Sequence, residues 1–465
     1  MTLRGVESHG KFLCASRGSH ESLVVIMRMR PPSRCYLVHY MRFFLHSLGC
    51  RLNEAELEDW ARQLQGLGHQ LAKDAEDADV MILNTCAVTA EAARKSRQMA
   101  RRLRRHNPKA RTVMTGCLAT LAPPDAANEL GVDLILPNSD KARLVELAMD
   151  HFGLPPTPVS AMEPGAETLF ARGRQRAFVK IQDGCRYHCT FCIVTVARGE
   201  ERSLSVREII SQINLLIENG VQEVVLTGVH VGGYGSDMDS DLHQLIAQIL
   251  QQTDIPRLRL ASVEPWDIPK NFFELYASNR LMPHLHLALQ SGSDSVLQRM
   301  ARRCKTDCFR DLVRTARETR NDFNITTDII VGFPGESDDE WKQTLDFIKE
   351  IGFGDVHIFP YSARHGTAAT RLPGRIPREI TRQRTEQLHA LASDLKINAL
   401  QRQVGRQVPV LWEKRRDDGT DVGYTPSFFR VLRNKPDQPS LENRITDTHL
   451  RGVSPDGANL LGEAK

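Results

Sequence analysis

The sequence of 465 residues lacks any run of apolar residues near the roughly 18 that a helix needs to cross a bilayer. Its N-terminal stretch also lacks the apolar core and small-residue cleavage site of a secretory signal. Ten cysteines in so long a chain do not make a secreted disulfide scaffold, and a net charge of +4 by itself indicates no polyanionic partner. With 41% hydrophobic and 25% charged residues, the composition is that of a soluble globular protein. These features predict a cytoplasmic protein without membrane contact.

Three cysteines are grouped in the segment Asp183-Gly-Cys185-Arg-Tyr-His-Cys189-Thr-Phe-Cys192. A structural zinc site takes four protein ligands, and no fourth Cys or His completes this group in the manner of a zinc finger. Three thiolates suit a 4Fe–4S cluster whose fourth iron stays open to another ligand. The alternative is three small buried thiols. It is disfavoured because the segment is polar and contains Gly184.

Three further cysteines are spread over residues 41–151, where apolar strands alternate with helices. This alternation predicts a parallel α/β sheet covered on both faces. Cys50, Cys86 and Cys117 each follow a predicted strand. Because the carboxyl ends of parallel strands meet along one edge of a sheet, we expect the three thiols to converge. Unrelated cysteines that happen to follow strands are the alternative.

The rest of the chain divides by its patterning. Residues 173–402 contain six predicted strands with helical crossovers, which predicts an open (β/α)6 barrel with its active face at the strand carboxyl ends. Short β runs after residue 403 predict a small antiparallel β-barrel. Residues 152–172 are interpreted as a linker, and residues 1–40 as an extension that is disordered or not translated.

The spacing of Cys185, Cys189 and Cys192, with Phe191 before the third, resembles the signature of the radical S-adenosylmethionine (SAM) superfamily. The resemblance implies that the open iron holds SAM and that one electron cleaves it to a 5′-deoxyadenosyl radical. It also implies four positions near SAM, which are Phe191, Gly228, Gln290 and Asp328. The ring of Phe191 is expected to pack on the adenine of SAM.

The N-terminal motifs Gly49-Cys50-Arg-Leu-Asn53, Asn84-Thr85-Cys86-Ala-Val-Thr89 and Thr115-Gly116-Cys117 extend this resemblance to the methylthiotransferase family. The resemblance implies that Cys50, Cys86 and Cys117 hold an auxiliary 4Fe–4S cluster that delivers or activates the inserted sulfur. It therefore implies two 4Fe–4S clusters and SAM as both radical source and methyl donor. An electron donor such as flavodoxin or ferredoxin is also expected.

The C-terminal residues 403–465 resemble the TRAM domain, an RNA-binding barrel found at this place in the family. Their segment Gly423-Tyr424-Thr425 carries the resemblance. Phe428, Phe429 and Arg430 are predicted to offer a surface for base stacking and phosphate binding, with one of the two aromatics serving the core.

Three branches of the family differ in substrate: isopentenyl-adenosine in tRNA, threonylcarbamoyl-adenosine in tRNA, or an aspartate of a ribosomal protein. The segments Ala197-Arg198-Gly199-Glu-Glu-Arg202-Ser203 and Thr227-Gly-Val-His230 most resemble the threonylcarbamoyl-adenosine branch. This implies methylthiolation of C2 of that nucleoside at position 37 of tRNA, with the other two substrates as alternatives. Arg198 and Arg202 are hypothesised to bind the threonyl carboxylate, since guanidinium groups pair well with carboxylates.

Between Ala92 and Arg111 lie nine Lys and Arg residues and no acid. A charge run is usually a solvated helix face. The density of this one, soon after Cys86, favours a polyanion and hence tRNA over a protein substrate. A non-catalytic RNA-binding protein with structural metal is the alternative from another class. Two triads that each leave a position open argue against it, because structural metal sites are closed.

Overall fold

A computed structural model of the protein describes residues 40–123, 126–154, 175–269 and 271–464. The predicted extension therefore lies outside the described residues except at Tyr40, and so does most of the predicted linker. The division of the chain into 41–151, 173–402 and 403–465 stays a prediction. No helix in the described ranges is long and apolar enough to cross a bilayer.

The first part of the described chain forms a five-stranded parallel sheet, here called the N-terminal sheet. Its strands are β1 (Arg42–Ser47), β2 (Gln70–Leu71), β3 (Val80–Thr85), β4 (Arg111–Gly116) and β5 (Leu134–Leu136). Its helices are α1 (Arg51–Gly66), α2 (Ala90–His106), α3 (Cys117–Leu121), α4 (Ala126–Leu130) and α5 (Leu144–Phe152). The strand order is β2-β1-β3-β4-β5, which confirms the predicted parallel α/β sheet. The two-residue edge strand β2 was not predicted because it is too short to show a period.

Both faces of the N-terminal sheet are covered, as continuously apolar strands require. Ile82 packs with Trp60 and Leu64 on the face covered by α1 and α5. Met81 and Leu83 pack on the opposite face with Leu103 of α2. Every residue of β3 is buried, so this central strand carries the core of both layers.

Residues 176–401 form a second parallel array, here called the open barrel. In chain order its strands are β6 (Arg176–Lys180), β7 (Gln182–Asp183), β8 (Arg202–Ser203), β9 (Glu223–Thr227), β10 (Arg257–Leu260), β11 (Ser262–Val263), β12 (His284–Leu287), β13 (Asn324–Val331) and β14 (Asp355–Pro360). Its helices are α6 (Val194–Arg198), α7 (Val206–Glu218), α8 (Leu242–Gln252), α9 (Asp294–Arg299), α10 (Thr306–Thr319), α11 (Asp338–Ile351) and α12 (Arg378–Gln401).

The main strands of the open barrel run in the order β6-β9-β10 and β11-β12-β13-β14. Only Ala261 separates β10 from β11, so the two sheets continue into one another as six parallel strand positions. This confirms the predicted partial barrel. The long helix α12 was not predicted, because only five of its 24 residues are buried and its apolar face is weakly marked.

The chain ends in a closed barrel, here called the C-terminal barrel. Its strands are β15 (Gln407–Trp412), β16 (Thr420–Tyr424), β17 (Arg430–Asn434), β18 (Ile445–Val453) and β19 (Leu460–Ala464). The strand order is β15-β16-β17-β19-β18. The pairing is antiparallel, as predicted, except that β17 and β19 run parallel.

The C-terminal barrel docks on the amino-terminal ends of the strands of the open barrel. The ring of Phe428 lies 5.0 Å from the rings of His284 and Tyr424, and Arg259 lies 4.5 Å above it. Phe429 is in the core of the C-terminal barrel. The expectation that one of the two aromatics serves the core is therefore confirmed by Phe429. The expectation that the other ring offers an RNA-stacking surface is wrong, because docking against His284 and Arg259 takes up the ring of Phe428.

Candidate functional site

The three N-terminal cysteines follow three neighbouring strands of the N-terminal sheet. Cys50 caps the start of α1 after β1, Cys86 follows β3, and Cys117 is the first residue of α3 after β4. Because β1, β3 and β4 are adjacent, the thiols lie at one edge of the sheet. This is the arrangement predicted from the sequence.

Two glycines let these strand ends approach one another. Gly49 has φ +109°, and a Cβ built there would lie 2.6 Å from Cys86 Cβ and 2.8 Å from its sulfur. Gly116 has φ +99°, and a Cβ there would overlap the carbonyl oxygen of Thr85. Glycine is therefore required next to Cys50 and next to Cys117, on both conformational and steric grounds.

The N-terminal thiols lie beside buried polar side chains at the edge of the sheet. Burial, and to a smaller extent the neighbouring Cys117 and Cys50 when ionised, raise the pKa of the Cys86 thiol to about 11. The Nδ2 atom of Asn138 lies 3.9 Å from the sulfur of Cys117, and Asn53 Oδ1 lies 3.9 Å from that of Cys50. Thiolates grouped at such a site need a cation to hold them ionised at neutral pH, which an iron–sulfur cluster supplies.

The second cysteine group lies in a loop at the carboxyl end of β6. The loop is anchored on Thr190, whose N–H donates to the carbonyl of Met300 (3.0 Å) and whose hydroxyl donates to that of Arg299 (2.9 Å). Its carbonyl accepts a hydrogen bond from the N–H of Ala369 (2.8 Å). A loop held from both sides presents its thiols in one geometry.

Each sulfur of this loop faces a hydrogen-bond donor. The N–H of Tyr187 lies 3.5 Å from the Cys185 sulfur, and the N–H of Val194 lies 3.4 Å from that of Cys192. The guanidinium of Arg302 lies 3.8 Å from the sulfur of Cys189. Donors aimed at sulfur stabilise thiolates, so the residues of this loop fit a 4Fe–4S cluster, and their role as its ligands stays a prediction.

The four positions expected near SAM all lie around this loop or on the inner face of the open barrel. Phe191 is half-buried and packs against a cluster that includes Ile330 and Met300. Gln290 has φ +78°, a left-handed conformation that is costly for a side chain with a Cβ and is frequent at functional sites. A Cβ at Gly228 would lie 3.0 Å from Gln182 Oε1, so this glycine makes room for an internal contact.

Asp328 is held by two histidines that the sequence reading did not single out. Its Oδ1 lies 3.1 Å from Nε2 of His286 and 3.2 Å from Nδ1 of His357. Burial would raise the pKa of Asp328, but these two rings outweigh it and hold the pKa well below its ordinary value. Polar residues alternate along β12, β13 and β14, which puts Asp328 and the two histidines on one face of the sheet. This alternation is the sequence pattern from which the group could have been predicted.

His230 is another residue that the sequence reading did not assign to the site. It is fully buried, its Nε2 lies 2.6 Å from Asp267, and its Nδ1 contacts Glu201. The edge of Tyr187, from the cysteine loop, packs on its ring at 4.9 Å. His230 therefore packs against the cysteine loop through Tyr187.

Arg198 does not present the free guanidinium that was predicted for substrate binding. It is 4% exposed and donates to Glu56 (3.0 Å) and Asp183 (2.9 Å). The predicted contact of Arg198 with a substrate carboxylate is therefore wrong, because protein carboxylates already occupy this group. Arg202 is exposed on β8 and stays available for that role.

Arg198 belongs to a buried group of charges between the N-terminal sheet and the open barrel, here called the interdomain charge network. Its members are Glu56, Lys141, Lys180, Asp183 and Arg198. Glu56 lies at its centre, 2.5 Å from Lys141 and 3.0 Å from Arg198. Burial opposes the charge of Arg198, yet Glu56 and Asp183, followed by the thiolates of Cys117 and Cys50, keep its pKa well above the ordinary value.

The basic run lies on α2 and opens onto solvent. Arg97, Arg101 and Arg105 are exposed. Together with other residues of α2, and with residues 128–131 of and after α4, they line an open groove of about 670 Å³. The N–H of Ala90, the first residue of α2, donates to Ser362 Oγ after β14 (3.0 Å), which links the start of this helix to the open barrel.

Two protein families match parts of the chain. Residues 179–348 match the Radical SAM superfamily, and residues 42–137 match the uncharacterized protein family UPF0004. The first range contains the loop of Cys185, Cys189 and Cys192, and the second contains Cys50, Cys86 and Cys117.

Several relatives align with most of the chain. The threonylcarbamoyladenosine tRNA methylthiotransferase MtaB of Thermotoga maritima is 36% identical over 393 residues, which cover 83% of this chain and 90% of that protein. The MtaB of Bacillus subtilis is 33% identical, covering 83% and 89%. The tRNA-2-methylthio-N(6)-dimethylallyladenosine synthase of Bacillus pumilus is 32% identical, covering 91% and 86%.

Solved structures share the fold at low sequence identity. The radical S-adenosylmethionine methyltransferase TsrM from Kitasatospora setae, with tryptophan and a SAM analogue bound, superposes with a TM-score of 0.52 at 14% identity. The match covers 69% of this chain and 73% of that one. At this identity the likeness shows the fold alone.

Proposed function

Because the chain belongs to the radical SAM methylthiotransferase family, we propose that it attaches a methylthio group to C2 of N6-threonylcarbamoyladenosine at position 37 of tRNA. Relatives named for this nucleoside reach 36% identity. Those named for dimethylallyladenosine reach 32%, which leaves that nucleoside as the second candidate. The observation that carries the proposal is the pair of cysteine triads on two adjoining parallel sheets, each with three thiols.

The two triads take separate roles in this proposal. Cys185, Cys189 and Cys192 hold a 4Fe–4S cluster that binds SAM, and Cys50, Cys86 and Cys117 hold an auxiliary 4Fe–4S cluster. A cluster on the first triad would supply the electron for the reductive cleavage of SAM, and with it the radical chemistry that activates the C2–H bond of the adenine. A radical is needed because acid–base groups do not activate an inert C–H bond.

The remaining side chains of the site are proposed to bind and orient SAM and the tRNA. Phe191, Gly228, Gln290 and Asp328 are proposed to contact SAM. Arg202 is exposed near the same loop and is proposed to bind the threonyl carboxylate. The groove along α2 is proposed to bind tRNA phosphates. A reduced flavodoxin or ferredoxin in the cytoplasm is the proposed electron donor.

Anaerobic reconstitution tests the metal content. The full chain should bind about eight irons, as two 4Fe–4S clusters require, and release 5′-deoxyadenosine from SAM when reduced. Replacing Cys50, Cys86 and Cys117 by alanine should leave about four irons and preserve SAM cleavage. A zinc-containing protein without SAM cleavage would show a structural metal site and contradict the proposal.

Mass spectrometry of tRNA nucleosides tests the substrate. A deletion strain should lack 2-methylthio-N6-threonylcarbamoyladenosine and regain it on complementation. The Cys189→Ala variant is the matched control, because it should fold but not restore the nucleoside. Loss of the methylthio group from isopentenyl-adenosine instead would establish the second candidate.

A further inference from the structure

Arg198 comes from the open barrel but lies against the N-terminal cysteines. It is the last residue of α6, six positions after Cys192. Its Nη2 donates to Asn53 Oδ1 at 2.8 Å, and the same oxygen lies 3.9 Å from the sulfur of Cys50. The guanidinium of Arg198 and the sulfur of Cys50 therefore both contact the same atom, Asn53 Oδ1.

The backbone carbonyl of Ala197, the residue before Arg198, lies close to a second cysteine, Cys117. Asn138 Nδ2 donates to the carbonyl of Ala197 at 2.7 Å and lies 3.9 Å from the sulfur of Cys117. Ala197 also packs in one apolar cluster with Cys117. Arg198 is thus bound at two points to the edge of the N-terminal sheet where the thiols lie.

The charges around Arg198 keep it ionised. The interdomain charge network contains three cations, Arg198, Lys141 and Lys180, and two carboxylates, Glu56 and Asp183. The side chains of Arg198, Lys141 and Glu56 are 2%, 3% and 4% exposed, whereas that of Lys180 is 27% exposed and partly solvated. A buried cation is expensive unless an anion lies beside it, so the two carboxylates hold Arg198 in its charged form. A charged guanidinium is thereby fixed beside Cys50 and Cys117, which are thiolates when they hold a metal cluster.

We propose that Arg198 is a positioning residue of the auxiliary site, which compensates the negative charge of the cluster held by Cys50, Cys86 and Cys117 and raises its reduction potential. The inference rests on the proposed function, because it requires that cluster. A cation beside a cluster stabilises the more negative, reduced form. Since the open barrel supplies this cation, the auxiliary cluster has its full potential only when the two sheets are docked.

The test uses a full-length variant in which Cys185, Cys189 and Cys192 are alanines, so that only the auxiliary cluster is present. The potential is measured by redox titration followed by electron paramagnetic resonance, for Arg198, Arg198→Lys and Arg198→Met. We expect the Met variant to be reduced at least tenfold less readily, which is about 59 mV towards negative potential for a one-electron couple. The Lys variant should lie between the two, because it keeps the charge but not the fork of donors.

Two controls separate charge from packing. Arg302→Met removes an arginine whose sulfur contact in the wild type is Cys189 rather than a cysteine of the auxiliary site, and it should leave the measured potential unchanged. Phe178→Leu alters the apolar contact between β6 and Ala55 of α1 without changing charge, and should also leave it unchanged. If the Met variant does not fold, the reduction potential of the Lys variant is compared with the potentials of these two controls. A lower potential in the Lys variant alone then supports the role of Arg198.

The outcomes distinguish the two claims. If the triple-alanine protein binds no iron, the proposed auxiliary cluster is wrong. If it binds a cluster whose potential is the same with arginine, lysine or methionine at position 198, the cluster stands and the role of Arg198 is overturned. An equal shift in Phe178→Leu would also overturn it, because packing would then explain the effect.

Discussion

The two cysteine triads reach a similar donor set by opposite routes. Cys185, Cys189 and Cys192 lie within one loop, and two of their sulfurs face N–H groups only two residues further along the chain. Cys50, Cys86 and Cys117 come from three strand ends, and their polar neighbours are Asn53, Asn138 and the interdomain charge network. The first site is formed by one short segment of the chain. The second site forms only when the whole N-terminal sheet is folded and in contact with the open barrel.

The largest effect should come from removing one ligand of each triad. Cys189→Ala is expected to abolish both 5′-deoxyadenosine formation and methylthiolation. Cys86→Ala should abolish methylthiolation and leave SAM cleavage intact, because the loop cluster does not depend on it. Chromatography of both products from one reaction measures this. Cys308→Ala, at an exposed cysteine, is the control and should be fully active. Equal loss of SAM cleavage in both ligand variants would refute the division of roles.

Removing the centre of the interdomain charge network should strongly destabilise the second site. Glu56→Gln leaves buried cations without their carboxylate, which costs about 3–5 kcal/mol. Amide hydrogen exchange should show faster opening of α1, and iron should be lost from the auxiliary site first. Glu379→Gln, at an exposed pair on α12, is the control and should change neither.

The same residue predicts a pH dependence. Burial would raise the pKa of Glu56, but Lys141, Arg198 and Lys180 outweigh it and hold the pKa well below 4.5. Its contribution to stability is therefore complete above pH 4.5 and is lost as the pH falls through the folded-state value. The difference in unfolding temperature between wild type and Glu56→Gln should be constant from pH 7 to about 5 and shrink in more acidic buffer. A difference independent of pH down to unfolding would contradict this.

A smaller effect is expected from a glycine at the auxiliary site. Gly49→Ala places a Cβ against Cys86 at φ +109°, so the loop must shift at a cost of about 1–3 kcal/mol. We expect about half of the total iron to be lost while SAM cleavage remains. Gly66→Ala is the matched control, since a Cβ there meets nothing within 4 Å. Retention of all the iron by Gly49→Ala would show that the strand ends can rearrange.

The smallest effect concerns the basic groove, which is the proposed tRNA surface. Arg101→Ala and Arg105→Ala should each weaken tRNA binding without altering SAM cleavage measured without tRNA. Each lost phosphate contact lowers the slope of log affinity against log salt by about 0.7–0.9. Arg382→Ala, an exposed arginine on α12, is the control. Unchanged slopes in both variants would exclude the groove as the tRNA surface.

Local patterns determined much of the fold before any tertiary information. The apolar run in β3 and the spacing of buried residues in α7 predicted those elements, because each pattern follows from one element and its own face. The loop of Cys185 could be read for the same reason, since its chemistry lies within eight residues. Helix α12 could not, because few of its residues are buried.

Tertiary contacts decided the use of individual side chains. By sequence Arg198 and Arg202 are equivalent cations four positions apart, but only Arg198 meets Glu56, which is 142 residues away. Phe428 reads as an exposed aromatic beside a strand, but docking places its ring against His284. The sequence alone therefore determined the elements, the donor types and the family resemblance. Which charge is buried, which ring is covered and how the two triads are joined depend on long-range contacts, and no local pattern encodes these.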